Sequence, residues 1–373
     1  MRVLVVNAGS STLKLSLIDE DDATIGGHEL ATPGERIDPA ALRTAIEDLA
    51  DADAVGHRIV HGGERFLTPV PIDAEVESAL RELTDLAPLH QPKSLAAFDA
   101  VSKELPDLPA VACFDTAFHA TIPPAAATYA LPQEWRERWP LRRYGFHGLS
   151  HAWVARRAAQ LVGREEDKAL RIVSCHLGAG GSLCAILGGR SVETTMGFTP
   201  LEGLVMATRS GSVDPGLVLW LTDGRLSADT VSDGLEHHSG LLGLAGTADM
   251  REVLERAERG DERAAVALEV YLHRLRAGIA AMTASLSGID VLAFTGGVGE
   301  RSAEVRARAV CGLEFLGVGV DEARNRAASA DTAISADDAR VQTLVVTARE
   351  DLEVAQQTRS ALDLGGSLGH GTE

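Results

Sequence analysis

The sequence predicts an α/β protein, on three observations. Apolar runs of strand character alternate with helically spaced segments along the whole chain. A strand, Gly/Ser turn, strand unit opens the sequence and returns near its middle, and one long amphipathic stripe leads into a further strand and a Gly-rich turn. With 373 residues and 45% hydrophobic content, the chain is long enough for two or three domains with substantial cores.

Taken in order, Arg2 to Val6 is an apolar strand, Asn7-Ala8-Gly9-Ser10-Ser11 a turn, and Leu13, Leu15 and Leu17 a second strand of period two. Leu42, Ile46 and Leu49, then Val76, Leu80 and Leu83, are spaced as helices, with strands at Ala54 to Val60 and Ala110 to Phe114. Ser150 is a candidate cap for a helix carrying Val154, Ala158 and Leu161. The opening unit recurs at Arg171 to Leu187, around Gly178-Ala179-Gly180-Gly181-Ser182; so short a match fits an internal duplication or chance. The stripe Leu268, Leu272, Leu275, Ile279, Met282 and Leu286 predicts a helix from about Asp261 to Ser287, ended by Gly288 and seated on a sheet, in a core or against a second subunit. A strand at Asp290 to Thr295, the turn Gly296-Gly297-Val298-Gly299, a helix from about Ser302, a last strand at Val341 to Thr347 and a closing helix that stops near Gly365-Gly366 complete the order.

Charge and cysteine usage narrow the partners. A net charge of −19 repels phosphate polymers and anionic membranes, so nucleic acid is not expected. Neither an export signal nor a membrane span is expected from the apolar runs, and Cys113, Cys175, Cys184 and Cys311, without a CxxC pair, read as core thiols of a reducing compartment. An acidic protein that binds phosphate must supply its own local positive charge. The three Gly-rich turns, at Asn7 to Ser11, Gly178 to Ser182 and Gly296 to Gly299, offer backbone N–H groups for that purpose, although a hairpin needs glycine in any case. Neither a P-loop nor the G-x-G-x-x-G spacing of a dinucleotide fold is present.

Several polar residues stand in unusual settings: Arg58 in GHRIVHGGERF, His90 in APLH, Asp115 in CFDTAFH, His147 in RRYGFHGLSH and Arg209 in MATRSGSVDPG. Arg58 lies within an apolar strand-like run and therefore requires an anion, either a protein carboxylate or a ligand. Two such arginines beside phosphate-type turns suit phosphoryl transfer to a small anionic acceptor, because cations must separate two anions that react. His57 and His61, like His147 and His151, are four apart, but neither pair has the third ligand or HExxH frame of a zinc site, so His147 is read as a hydrogen-bond donor. His237-His238 reads as a solvated pair. Glu350-Asp351, just past the last strand, suits either a magnesium-bound carboxylate or a helix N-terminal acid, and both can hold together.

These strings, in this order and spacing, resemble acetate kinase and the related short-chain acyl kinases over almost the whole chain. N-A-G-S-S-[ST]-x-K is met by Asn7 to Lys14 and G-[HR]-R-[IV]-V-H-G-G by Gly56 to Gly63, with PLH, FDTAFH, RRYGFHG, TRSG and TGG-[VI]-GE in support. The resemblance implies a duplicated actin-like ATPase (ribonuclease H-like) fold of two domains with a cleft between them. The implied domains are 1–150, completed by a C-terminal helix at 353–365, and a nucleotide-binding domain at 151–352, with 366–373 a disordered tail. It further implies a cytoplasmic homodimer that moves the γ-phosphoryl of ATP reversibly to acetate, giving acetyl phosphate and ADP, with Mg²⁺ or Mn²⁺. Carried over by motif, Arg58 and Arg209 neutralise acetate and the phosphoryl group, His147 donates to the phosphoryl oxygens, and Asp115 orients an arginine and the metal, since acetate needs no base. Asn7 and Glu350 organise the metal. Val60, Leu89, Phe146 and Pro200 form the methyl pocket. Lys14, His176, Gly178, Ala179, Gly180 and Gly181, with Gly296, Gly297, Val298 and Gly299, hold the nucleotide.

The chain also departs from the family pattern. Ala179 replaces an asparagine in the second phosphate turn, Gln91 an asparagine after PLH, Leu149 a threonine, Ala207 a glycine, Ser212 an aspartate and Arg349 an acidic or amide residue. The segment between Asp19 and Ala54 reads as shorter than usual. A propionate-preferring enzyme, a pyrophosphate-dependent one and a catalytically weakened nucleotide-binding homologue are the alternatives these departures leave.

Overall fold

The computed structural model describes residues 1–9, 12–32, 37–49, 51–87 and 91–368. Two six-stranded sheets organise them. The first contains β1 (Val3–Ala8), β2 (Thr12–Ile18), β3 (Thr24–Ala31), β4 (Ala54–Ile59), β5 (Val70–Pro71) and β6 (Ala110–Phe114), in the order β3-β2-β1-β4-β6-β5. The second contains β7 (Arg171–Leu177), β8 (Gly181–Leu187), β9 (Arg190–Thr194), β10 (Val291–Thr295), β11 (Thr332–Ala333) and β12 (Gln342–Val345). Read from its β9 edge, that sheet runs β9-β8-β7-β10-β12-β11, the same succession of antiparallel meander, two parallel strands and a short antiparallel edge. The duplication that two short turns left open is therefore settled by strand order, and the arrangement is the duplicated actin-like one.

The chain divides into two compact units, one of residues 1–120, 148–153 and 349 onward, the other of 121–147 and 154–348. Segment 121–147 thus clusters with the second unit, although a cut near residue 150 assigns it to the first. In the first unit β1 is apolar at successive positions because both faces of its sheet are covered. Val3 and Val5 meet Leu352, Val354 and Ala355 of the closing helix Glu350–Leu368, while Leu4 and Val6 meet Leu42 and Ile46 of the helix Pro39–Glu47 and Val101 of the helix Gln91–Glu104. In the second unit the long helix Glu262–Ser285 begins at Asp261, whose carboxylate accepts from the amides of Arg263 and Ala264. Its predicted stripe is buried with Val173, Cys175, Leu183 and Phe294 of the strands, so the sheet is what it is seated on.

Several expected boundaries move. The helix expected after Ser150 is Gly148–Leu161, with His147 at its N-cap in the left-handed region at φ 56°, so Ser150 lies inside it. Gly296-Gly297-Val298-Gly299 is the first turn of a short helix, Gly296–Arg301, and Ser302 caps the next one, Ala303–Val310. The closing helix continues through Gly365-Gly366 to Leu368; the rest of the expected tail, 369–373, lies outside the described residues. Cys113, Cys175 and Cys184 are buried as expected, but Cys311 is exposed at a helix end.

Candidate active site

In the first unit, the neighbouring parallel strands β1, β4 and β6 bring their carboxyl ends together, which is where open α/β sheets bind ligands. Asn7 is near the end of β1, Arg58 lies on β4, and Asp115 directly follows β6. The Arg58 guanidinium grips Asp115 along one edge, Nε donating to Oδ1 at 3.1 Å and Nη2 to Oδ2 at 2.6 Å. Its other edge turns to Asn7, Nη1 donating to Oδ1 at 2.9 Å. Asn7 Nδ2 donates to Glu350 Oε2 at 3.3 Å, and that oxygen stands 3.9 Å from Arg58 Nη1. Glu350 opens the closing helix, so the last element of the chain reaches the strand ends of the first.

Burial acts against charge on both partners. It disfavours the charged guanidinium, yet the Asp115 and Glu350 carboxylates outweigh it and Arg58 is held above its ordinary value. Burial lifts Asp115 above the usual carboxylate range, with Arg58 opposing the rise. Of the two anions the sequence allowed for Arg58, the protein carboxylate is present, and it engages one edge of the guanidinium. Gly148 N–H, donating to the Asp115 carbonyl at 2.8 Å, fixes the backbone beneath.

The second unit builds a different constellation on the β7–β8 hairpin. Gly178 N–H donates to the Gly180 carbonyl at 2.8 Å, closing a tight turn, and Ala207 N–H donates to the Ala179 carbonyl at 3.0 Å. The His147 ring lies over His176 with centroids 4.3 Å apart, and its Nδ1 is 2.8 Å from Ser182 Oγ. His147 Nε2 and Arg209 Nη1 lie 3.3 and 3.6 Å from where a Cβ on Gly180 would stand. A side chain there would fill the space where imidazole, guanidinium and turn backbone converge. Arg209 also donates through Nη1 to the Pro200 carbonyl at 3.2 Å and pairs through Nε with Glu236 at 3.3 Å. Burial lowers its pKa against the pull of Glu236, and burial raises Glu236 itself.

Other predicted residues are placed less centrally. Lys14, opposite Asn7 in register, directs its ammonium to Glu29 of β3 at 3.5 Å and remains exposed. Gly296 does not present a vacant amide: its N–H and that of Ala348 both donate to Glu300 Oε1, at 3.0 and 3.1 Å. Val298 packs on the core of its unit, and a Cβ on Gly297 would meet open space. Val60 is buried in the first unit, Phe146 and Pro200 in the second, and Leu89 and His90 lie outside the described residues. His57 is buried edge-on to Phe98, and His61 Nδ1 accepts from Gly63 N–H at 2.8 Å; among the described residues no group of three or more His, Cys, Asp or Glu side chains could hold a metal. His237 ends a helix, and exposed His238 meets Asp233 at 3.2 Å.

The departures are absorbed locally. Gln91 is buried and braces the strand end, its Oε1 accepting from His61 N–H at 3.1 Å and its Nε2 donating to the His61 carbonyl at 3.2 Å. Ser212 Oγ accepts from Gly203 N–H at 3.1 Å, Leu149 is in the core, and Arg349 bonds Asp351 and Thr24. Sequence reading missed the Gln91 brace and a half-buried Tyr129–Glu202–Arg143 network; the doubled arginine Arg142-Arg143 was the available signal.

An actin-like duplication with an arginine–carboxylate–amide cluster in one unit and an imidazole, guanidinium and glycine turn in the other is the setting of a phosphotransferase, and the family match makes it one with a carboxyl acceptor. The chain belongs to the acetokinase family, whose model matches residues 35–356. It is 45% identical to an acetate kinase of Streptomyces avermitilis, over 96% of each chain. Among solved structures it is similar to acetate kinase of Porphyromonas gingivalis, with TM-score 0.88 and 35% identity over 97% of this chain and 99% of that one. A propionate kinase of Francisella tularensis is similar at TM-score 0.88 and 32% identity, over 96% and 99%. Among the described residues, no helix is long and apolar enough to cross a membrane.

Proposed function

We propose that this protein transfers the γ-phosphoryl group of ATP reversibly to acetate, giving acetyl phosphate and ADP. The observation that carries the reading is the convergence of Gly180 backbone, His147 ring and Arg209 guanidinium in a member of this family. An acetate carboxylate oxygen forms the new bond to phosphorus as the bond to the ADP oxygen breaks, and no proton need be removed because acetate is ionised at neutral pH. Arg58 and Arg209 neutralise the two approaching anions. Asp115 orients Arg58, and His147 donates a hydrogen bond to the transferring group. His176, Gly178, Ala179 and Gly181 surround the nucleotide phosphates with the glycines of the third turn, whereas Lys14, held by Glu29, is left to a peripheral role. To the acyl methyl group we assign Val60 of the first unit and, independently, Phe146 and Pro200 of the second.

Glu350 offers a hard carboxylate beside the Asn7 side chain, whose Nδ2 donates to it and whose Oδ1 accepts from Arg58, and so sparse a set fits Mg²⁺, which keeps waters and substrate phosphates among its ligands. When bound, the ion supplies charge neutralisation on the phosphates. We assign the enzyme to the cytoplasm, where its buried thiols stay reduced. We further propose a homodimer. The helix Pro215–Thr222 is apolar at most positions yet buries none of them, with Leu219 70% and Trp220 55% exposed, and a second copy is the cover we assign. Sedimentation of a Leu219→Asp, Trp220→Asp double variant is expected to give a monomer; an unchanged dimer counts against this face.

The test of the activity is acetyl phosphate formation, trapped as the hydroxamate, with ATP, Mg²⁺ and acetate; no product from folded protein rejects it. The similarity to a propionate kinase favours propionate as a second acceptor, since one extra buried methylene changes binding by only about 0.8 kcal/mol. A matrix of acetate and propionate against ATP and pyrophosphate separates these readings.

A further inference from the structure

Within the second unit, a half-buried polar network surrounds the segment that carries Pro200. Arg143, in RRYGFHG, sends Nη1 to three successive carbonyls, of Thr194, Thr195 and Met196, at 3.1 to 3.3 Å. Its Nη2 donates to Glu202 Oε1 at 2.9 Å, and Glu193 stands 3.7 Å from Nε. The other Glu202 oxygen accepts from the Tyr129 hydroxyl at 2.6 Å, and the same hydroxyl accepts from Phe198 N–H at 2.9 Å. The Arg143 guanidinium lies over the Tyr129 ring at 5.6 Å. The Gly197 backbone passes so close that a Cβ there would meet the Glu202 carboxylate and the Tyr129 hydroxyl and would have to displace both. The network thus holds both sides of the short run that leads to Pro200, whose carbonyl receives Arg209.

We propose that Tyr129, Glu202 and Arg143 are positioning residues that set the acceptor end of the site, fixing Pro200 and through it Arg209, and so determine which short acyl group is taken. This rests on the acyl-kinase reading given above. None of the three need touch substrate. A clamp of charge-assisted hydrogen bonds is stiff, and a loss of stiffness at Pro200 is felt by the acyl group and hardly by the nucleotide turn.

Tyr129→Phe is the discriminating variant, because the ring stays against Arg143 and only the hydroxyl goes. Hydrogen exchange and steady-state kinetics are measured on the full chain, with near-ultraviolet circular dichroism as the check on folding. Expected are faster exchange of the Gly197 and Phe198 amides, an acetate KM raised about tenfold with ATP KM within about twofold, and a narrower preference between acetate and propionate. Glu202→Gln, which keeps shape and one acceptor, is expected to fall between Tyr129→Phe and the parent. Exchange and acetate KM both unchanged in folded Tyr129→Phe overturn the proposal, as does an equal change in KM for acceptor and nucleotide. Should the parent protein form no acyl phosphate at all, the acyl-kinase reading falls by itself, while the exchange measurement still decides whether the network holds this segment.

Discussion

At the scale of single residues, Arg58 shows how an ion pair and a binding role coexist. A guanidinium has two edges; Asp115 occupies one, and the other is turned toward Asn7 and Glu350. Arg58→Ala is expected to leave a folded protein, because Asp115, already lifted by burial, can take up a proton once its partner is gone, while kcat falls by orders of magnitude. A near-parental rate in a hydroxamate assay contradicts the role. Glu350→Gln keeps the contact to Asn7 in shape but removes the charge, so the Mg²⁺ concentration for half-maximal rate is expected to rise about tenfold or more with little change in acetate KM. The pairing of Arg58 with an aspartate was readable as one of two choices, since a buried guanidinium demands an anion. The brace from Gln91 was not readable, because a neutral amide satisfied by backbone groups leaves no pattern in the sequence.

At the scale of elements, legibility followed burial. Strand Ala110–Phe114 and the long helix were plain because their apolar residues repeat with the period of the buried face. β3 went unread: TIGGHELA forms the exposed edge of its sheet, half polar and holding two glycines, and no core demands an apolar alternation there. The helix Gly148–Leu161 starts two residues before the cap that was expected, because His147 adopts a left-handed conformation that turns the chain into the helix directly. The β7–β8 turn carries its own prediction. Ala179 is exposed at the tip and holds its place through its carbonyl, so Ala179→Asn adds an amide donor without displacing anything. Expected is an ATP KM equal to the parent's or lower by up to about tenfold, measured at saturating acetate; a rise shows that the tip is not beside the phosphates.

At the scale of the whole molecule, fold class was legible because the two halves are built on one plan, and even a five-residue echo between turns pointed to it. What stayed hidden were groups whose partners lie far along the chain and outside any recognised motif, such as Tyr129 and Glu202, whereas Asn7 and Glu350 were brought together by the family resemblance alone. Stability carries a pH signature of the same burial. Burial depresses His57 to about 3 and His61 to about 4. The unfolded chain gains these protons near pH 6.5 whereas the folded one resists, so stability is full above that value and drops as acid carries the pH down toward those depressed values. The slope approaches about 1.4 kcal/mol per pH unit for each histidine. Urea denaturation at pH 7 and pH 5 is expected to differ less in His57→Leu than in the parent; an equal difference shows that His57 contributes nothing to acid sensitivity.

The closing helix packs on the first strands of the chain, and its first residue completes their amide and guanidinium cluster. During synthesis, therefore, the opening unit waits for the residues after 350 before it can be finished, and a chain released short of them leaves its earliest strands without their cover. Such fragments leave Val3, Val5, Val111 and Cys113 bare on that face, and apolar strands so exposed are prone to aggregate.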